Sequence, residues 1–356
     1  MTSTRLLRLR QHLKSAGIDN FFTCHLKNIY YLTGFKGSNA FLLLIGKKSL
    51  LFSDGRYRFQ IYQQVKDPSI EIVIYQTTFF EEADRLIKNR KLNNLGFEEE
   101  NLRWIDFKKL KSLSYKLIPA QKIIDELRTL KSPGELRIIQ KAQRIVRRVY
   151  NDILKLIRPE IREKDVADEI DYRLKKYGGE AIAFETIVAS GIRSALPHGV
   201  ASLKKIKPRE LIVLDFGTVL EGYCSDFTRT VIIGQPHPWQ KKIYEIVKQA
   251  QARALRFIGP GRTLSSVDRQ ARDWIEKQGF GSDFNHNLGH GLGLDIHEKP
   301  SFSPRSIGIL KAGTVCTVEP GIYLKNQGGV RIEDVVSVTS LGCRNLTGVS
   351  QEFLIL

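Results

Sequence analysis

The chain has no apolar run near the ~18 residues that cross a bilayer; its densest hydrophobic stretch is Ala40 to Ile45. This gives no reason to expect a membrane-spanning helix or a membrane partner. The four cysteines, Cys24, Cys224, Cys316 and Cys343, form no CxxC pair. That argues against a disulfide framework or a zinc knuckle and for reduced thiols in the cytoplasm. Acids are absent before Asp19, as in a transit peptide. Yet Leu6, Leu9 and Leu13 recur at helical spacing, Gly17 stops the run, and an apolar strand from Phe21 to Thr23 follows without a linker. The segment reads as mature structure, and cytoplasm is the expected location. No basic run reaches five residues, although 56 basic residues outnumber 38 acidic ones for a net +18. Lys204, Lys205, Lys207 and Arg209 are the densest cluster; the surplus is spread, +10 over residues 1–124 and +8 over 125–356. A diffusely basic surface argues against nucleic acid as the partner.

What is present is a globular mixture, 42% hydrophobic and 26% charged, in 356 residues, a length that suits about two domains. Residues 1–124 alternate helical and strand patterns. Strands are expected at Ala40 to Ile45, Ser49 to Phe52, Ile70 to Tyr75 and Leu95 to Phe97, with a helix at Glu82 to Asn89. The second domain is expected over 125–356. Ser132-Pro133-Gly134-Glu135 is a capping box with proline at the first helical position. It opens a helix to about Leu156 whose buried stripe is Leu136, Ile139, Ala142, Val146 and Val149. A helix from Lys164 to Tyr177, a strand from Ile182 to Ala189 and a loop from Ser190 to Gly199 follow. Leu211 to Ile233 reads as a hairpin, Trp239 to Phe257 and Leu264 to Gln278 as helices, residues 286–300 as a Gly- and His-rich loop. Thr314 to Leu324 and Val330 to Thr339 read as a last strand pair. The order helices, hairpin, helices, hairpin suggests two related αβ halves.

Asp215 and Asp226 lie 11 residues apart around turn chemistry at Glu221-Gly222. Residues equidistant from a turn face one another across the hairpin, so two carboxylates are expected to meet among apolar neighbours. Like charges that close either share a proton or hold a cation. Glu319 and Glu333 flank Asn326 to Gly329 in the same way. One such pair can be a satisfied salt bridge; two are hard to explain as stability devices, because buried acids are costly. Three of the seven histidines, His286, His290 and His297, fall within twelve residues rich in glycine. Glycine there lets backbone pack closely around a site. His198 stands alone in Pro197-His198-Gly199, where a structural role is the ordinary one. Four carboxylates with one or two imidazoles form an oxygen-rich set suited to Mn²⁺, Fe²⁺, Co²⁺ or Zn²⁺. Two metals about 3.5–4 Å apart can use four carboxylates, which one metal cannot easily do. Such a pair polarises a carbonyl and lowers the pKa of water, so hydrolysis is the favoured reaction class.

These motifs resemble those of the pita-bread metallopeptidases, most closely the Xaa-Pro peptidases (prolidase and aminopeptidase P). Asn28-Ile29-Tyr30-Tyr31-Leu32-Thr33-Gly34-Phe35 and Ser53-Asp54-Gly55-Arg56-Tyr57 look like that family's creatinase-type N-terminal domain. The resemblance implies an α/β (α+β) architecture: a creatinase-like N-terminal domain, then a pita-bread fold with pseudo-twofold αβ halves. It implies five metal ligands, Asp215, Asp226, His290, Glu319 and Glu333, with Asp226 and Glu333 shared between two divalent ions, Mn²⁺ or Co²⁺ ahead of Zn²⁺ or Fe²⁺. Glu319 would also carry a proton, while His198 and His297 bond the substrate carbonyl and its oxyanion. His286 would contact substrate, and Tyr323 and Arg331 orient carboxylates. The implied substrates are Xaa-Pro dipeptides or longer peptides with proline second, and the implied assembly is a homodimer. Leu288 departs from the small polar residue many relatives carry, which bears on substrate geometry. Methionine aminopeptidase shares the ligands but generally lacks such an N-terminal domain. Creatinase lacks the metal set. A metal-free binding module of the same fold is the alternative outside enzymes.

Overall fold

A computed structural model describes residues 2–87, 93–112 and 116–356. They form two compact units, Met1–Arg128 and Thr129–Leu356.

The first unit carries helices α1 (Thr2–Ser15), α2 (Leu26–Thr33), α3 (Arg58–Gln64), α4 (Phe79–Ile87), α5 (Trp104–Ser112) and α6 (Gln121–Thr129) around one sheet. Its strands are β1 (Asn20–Thr23), β2 (Phe41–Ile45), β3 (Lys48–Asp54), β4 (Ile70–Tyr75), β5 (Asn94–Phe97) and β6 (Lys116–Pro119), ordered β4-β3-β2-β1-β5-β6. Strand β2 is a continuous apolar run, Phe41-Leu42-Leu43-Leu44-Ile45, buried from Leu42 onward. Such a run belongs in a sheet covered on both faces. Phe79 of α4 anchors one face by stacking on Phe22 and Phe41. The helix expected at Glu82 to Asn89 is α4, and residues 88 and 89 lie outside the described residues.

In the second unit the predicted capping box is present. The Ser132 side chain accepts from the Glu135 amide, and the Glu135 carboxylate accepts from Ser132, opening α7 (Pro133–Ile153). Helix α8 (Glu163–Lys176) ends at Gly178, whose φ of 103° only glycine adopts freely. The expected strand from Ile182 to Ala189 is instead two, β7 (Ala181–Ile182) and β8 (Ile187–Ser190), because the chain crosses between sheets. Strands β9 (Leu211–Asp215), β10 (Thr218–Leu220), β11 (Tyr223–Cys224) and β12 (Thr228–Ile232) form the first hairpin. Helices α9 (Pro238–Phe257) and α10 (Leu264–Lys277) follow. The loop expected over 286–300 contains β13 (Gly289–Gly291) and the start of β14 (Glu298–Phe302). The second hairpin comprises β15 (Val315–Val318), β16 (Gly321–Leu324), β17 (Gly328–Arg331) and β18 (Asp334–Val338), with β19 (Cys343–Asn345) beside it.

Each hairpin has its own helix pair. Val146, Val149 and Ile153 of α7 with Val166 and Ile170 of α8 pack on Ile212, Leu214 and Val231. Val247 and Ala250 of α9 with Val267 and Ala271 of α10 pack on Cys316, Val318 and Val336. Each fully buried aliphatic side chain contributes about 1.5–3 kcal/mol. The two halves therefore repeat one arrangement, and the acids stand where the apolar strands end.

Candidate metal centre

The two hairpins present their acids differently. In the second, Val318 faces Asp334 and Gly321 faces Arg331. Glu319 and Glu333 are therefore directly opposed, around a turn at Asn326 with φ 63°. In the first, Asp215 faces Thr228 rather than Asp226, and Leu220 faces Tyr223. The turn is centred between Glu221 and Gly222, both at positive φ, one residue beyond the midpoint of the two acids. Asp226 consequently sits diagonally, two residues along from Thr228. A two-residue step keeps the same face of the hairpin.

The acids converge. Asp215, Asp226 and Glu333 each place a carboxylate oxygen within 4.8 Å of the others. His290, on β13, brings Nε2 to 3.2 Å from Glu319 Oε1 and 3.6 Å from Asp226 Oδ2. Asp226 thus belongs to both groups. Gly289 and Gly291 flank His290 because a Cβ on either would strike backbone, Thr317 or Lys299. The expected close packing of glycine backbone is met there.

Hydrogen bonds fix the acids' orientations. Arg331 Nη2 donates to Asp215 Oδ2 at 2.5 Å. Thr228 Oγ1 donates to Glu333 Oε2 at 2.9 Å and Thr317 Oγ1 to Glu319 Oε1 at 3.1 Å. His290 Nδ1 donates to the Gly291 carbonyl at 3.0 Å, since a carbonyl only accepts. Its Nε2 therefore points at two carboxylates, an arrangement that needs a proton or a cation between them. By the same logic Tyr323 Oη accepts from Arg331 Nη1 (2.8 Å) and donates to His286 Nε2 (3.0 Å), while His286 Nδ1 donates to the Asn287 carbonyl.

The electrostatics follow from this crowding. Burial, then the charge of Asp215, pushes Asp226 well above the usual carboxylate range. Burial, then Asp226, does the same to Glu333. Burial also raises Asp215, against the pull of Arg331. Burial opposes ionisation of Glu319 too, but the bond and charge of His290 outweigh it and hold the carboxyl at about 2. Burial alone would lower His290; Glu319 and Asp226 lift it to about 9. Asp215 Oδ1 and Glu333 Oε1 are buried with no hydrogen-bond partner among the described residues. Orphaned anionic oxygens of this kind are costly unless a cation meets them. The donor set of four carboxylates and one imidazole therefore fits divalent metal.

Residues 137–340 match the model of metallopeptidase family M24, and residues 5–130 match the creatinase/prolidase N-terminal domain. The chain belongs to metallopeptidase family M24. A relative named Xaa-Pro dipeptidase from Pyrococcus furiosus is 37% identical over 98% of this chain and 99% of its own length. A solved Xaa-Pro dipeptidase from Bacillus anthracis is 37% identical over the whole of both chains, with a TM-score of 0.96. A solved X-Pro aminopeptidase from Thermotoga maritima is 36% identical, covers 97% of this chain and 100% of its own, and has a TM-score of 0.89. The expected creatinase-type and pita-bread architecture is the architecture found, and enzymes of family M24 depend on divalent metal.

The remaining expected site residues of this M24 chain lie around the acids. The His297 ring is 4.4 Å from that of His290, edge to face. Burial, then the neighbouring His290, lowers its pKa, and His198 adds to this. His198 is exposed on the loop after β8, whose Pro197 carbonyl accepts from Arg331 Nη1 at 3.1 Å. Leu288 faces the apolar core, and its carbonyl accepts from Glu319 N at 2.8 Å. Sequence reasoning missed Thr228 and Thr317, although Thr317 stands two residues from Glu319 and Thr228 two from Asp226, the spacing that shares a strand face. It also missed the buried ion pair of Lys131 with Glu298 (3.0 Å), next to His297. Nothing local in the sequence joins residues so far apart.

Proposed function

We propose that this chain is a two-metal exopeptidase that cleaves the bond before proline in Xaa-Pro dipeptides. The observation that carries this is the double membership of Asp226: it lies with Asp215 and Glu333 on one side and with His290 on the other. Two divalent cations, Mn²⁺ or Co²⁺, placed there would supply Lewis-acid polarisation of the scissile carbonyl and a water of lowered pKa.

The chain's own groups do the rest. Asp215 would hold one of these cations, His290 and Glu319 the other, and Asp226 and Glu333 would serve both. Glu319 would accept a proton from water and pass it to the leaving imino nitrogen. His297 and His198 bond the carbonyl oxygen as negative charge grows on it. Arg331 offsets acid charge and fixes Asp215, and through Tyr323 it orients His286 toward the substrate. An Xaa-Pro bond is a tertiary amide without an N–H, so a site that grips the carbonyl from both sides suits it. The named dipeptidase relatives support the dipeptide as substrate. The matched creatinase-type domain disfavours a methionine aminopeptidase reading, and the intact acid set disfavours a metal-free binder. A homodimer in the cytoplasm belongs to the same reading; among the described residues no helix is long and apolar enough to cross a membrane.

The test is hydrolysis of Ala-Pro beside Ala-Pro-Ala, with Mn²⁺ or Co²⁺ added and then chelated. Metal-dependent cleavage of Ala-Pro with little of the tripeptide is expected. Preference for the tripeptide would make the chain an aminopeptidase, and cleavage of neither under any metal would overturn the enzyme reading.

A further inference from the structure

Helices α7 and α9 share an oddity. Each has a glutamine in the middle of its buried stripe, Gln143 beside Ile139, Ala142 and Val146, and Gln251 beside Val247, Ala250 and Ala254, whereas the other buried glutamine of α9, Gln240, lies in its first turn and caps it. Gln143 is 1% exposed and Gln251 fully buried. An amide in an apolar core is costly unless its polar atoms are bonded, and here each is only half bonded. Oε1 of Gln143 and Oε1 of Gln251 have no partner among the described residues. Leucine or methionine would fill these places without that cost, so helix packing does not account for the glutamines.

The bonds they do make go to the metal centre. Gln143 Nε2 donates to the Asp226 carbonyl at 3.0 Å. Gln251 Nε2 donates to the Val318 carbonyl at 3.0 Å and the Ile332 carbonyl at 3.1 Å. Val318 immediately precedes Glu319, and Ile332 immediately precedes Glu333. Asp226 lies between β11 and β12, Ile332 between β17 and β18, and Val318 ends β15. These are the points where the hairpins leave regular pairing and the backbone is least fixed by its own ladder. Because carbonyls only accept, the orientation of both amides is settled.

We propose that Gln143 and Gln251 are paired positioning residues, one per half, that hold the acid-bearing segments in place before metal binds. Gln143 sets Asp226. Gln251 ties the two arms of the second hairpin together and sets Glu319 and Glu333. The inference rests on the metallopeptidase reading above, and outer groups that orient ligands typically change metal affinity by about 10–100-fold.

The experiment uses the full chain, stripped by chelation, with Gln251→Met, Gln251→Leu and Gln143→Met beside the parent. Mn²⁺ binding is followed by calorimetry, thermal unfolding of the metal-free protein by circular dichroism, and Ala-Pro hydrolysis by rate. Gln251→Met is expected to weaken Mn²⁺ binding about 10–100-fold while the metal-free melting temperature stays level or rises. Gln143→Met should weaken it less, because it holds one acid rather than two. Affinity within twofold of the parent in both methionine variants would overturn the proposal. So would failure of both Gln251 variants to fold, which would make the amide a stability residue. A parent that neither binds Mn²⁺ nor cleaves Ala-Pro would instead refute the functional reading on which this rests.

Discussion

The two acid-bearing hairpins of the second unit solve one problem in two ways. The first offers aspartates on a diagonal, with Asp215 opposite Thr228; the second offers glutamates face to face, with Val318 opposite Asp334. Side-chain length explains how both work. Both pairs project from a single face of their hairpin, and the extra methylene gives the opposed glutamates the reach to part. They do part: Glu333 joins the aspartates, and Glu319 turns to His290. The two sides of the site therefore differ in how they meet the cost of buried charge. Glu319 has a cationic partner within the chain and stays ionised. Asp226 and Glu333 have too few cations and are pushed toward their neutral forms. In the metal-free chain, then, one side has its counter-charge and the other lacks it.

The largest effect should come from the residue common to both sides. Asp226→Asn is expected to lower Ala-Pro hydrolysis by about 10³-fold or more, the scale of losing a charge-stabilising group at a reacting centre. A near-parental rate would dissolve the comparison altogether. Chelation comes next. Ligand present at about 1,000 times its dissociation constant adds about 4 kcal/mol, so stripping metal should lower the melting temperature clearly, and readdition of Mn²⁺ should restore it.

The contrast itself is sharpened by paired amides in the metal-free protein. Glu319→Gln removes the charged partner of His290 and should cost about 1–3 kcal/mol. Glu333→Gln removes a carboxylate from a crowd of acids and should leave the melting temperature level or raise it. Equal losses in the two variants would show that the sides do not differ.

The smallest effect lies in the first unit, where an acid is buried with no metal expected. Glu98 is 2% exposed, bonded by Thr23 and Asn28. Burial raises its pKa from 4.5 to about 7, against the pull of those bonds. A raised acid favours folding at low pH. Its contribution is full below about pH 4.5 and is lost as pH rises through about 7. Urea unfolding should show a decline on the order of 1–3 kcal/mol across that window. Glu98→Gln should flatten it, and an unchanged slope in the variant would assign the decline elsewhere.

The sequence carried the opposition of the second pair, because Asn326 is the midpoint of Glu319 and Glu333 and the chain turns there; Gly328 and Gly329, read as part of that turn, instead pair within β17. It carried the first only up to face. Alternation shows that Asp215 and Asp226 share a side, but the Glu221-Gly222 turn is not centred on them, and only the turn sets which residues are opposed. The five converging side chains were legible through motif resemblance. The partners that orient them were less so. Neither Gln143 nor Gln251 stood out in the sequence, since a buried amide does not announce which carbonyl it serves. Likewise, the break between β7 and β8 depends on which sheet each piece joins, a tertiary fact with no local signature.

The most direct measurement is anomalous diffraction from crystals of the full chain grown with Mn²⁺. The account predicts two peaks about 3.5–4 Å apart, one beside Asp215 and one beside His290 and Glu319, with Asp226 and Glu333 touching both. A single peak, or peaks away from these five side chains, would contradict it.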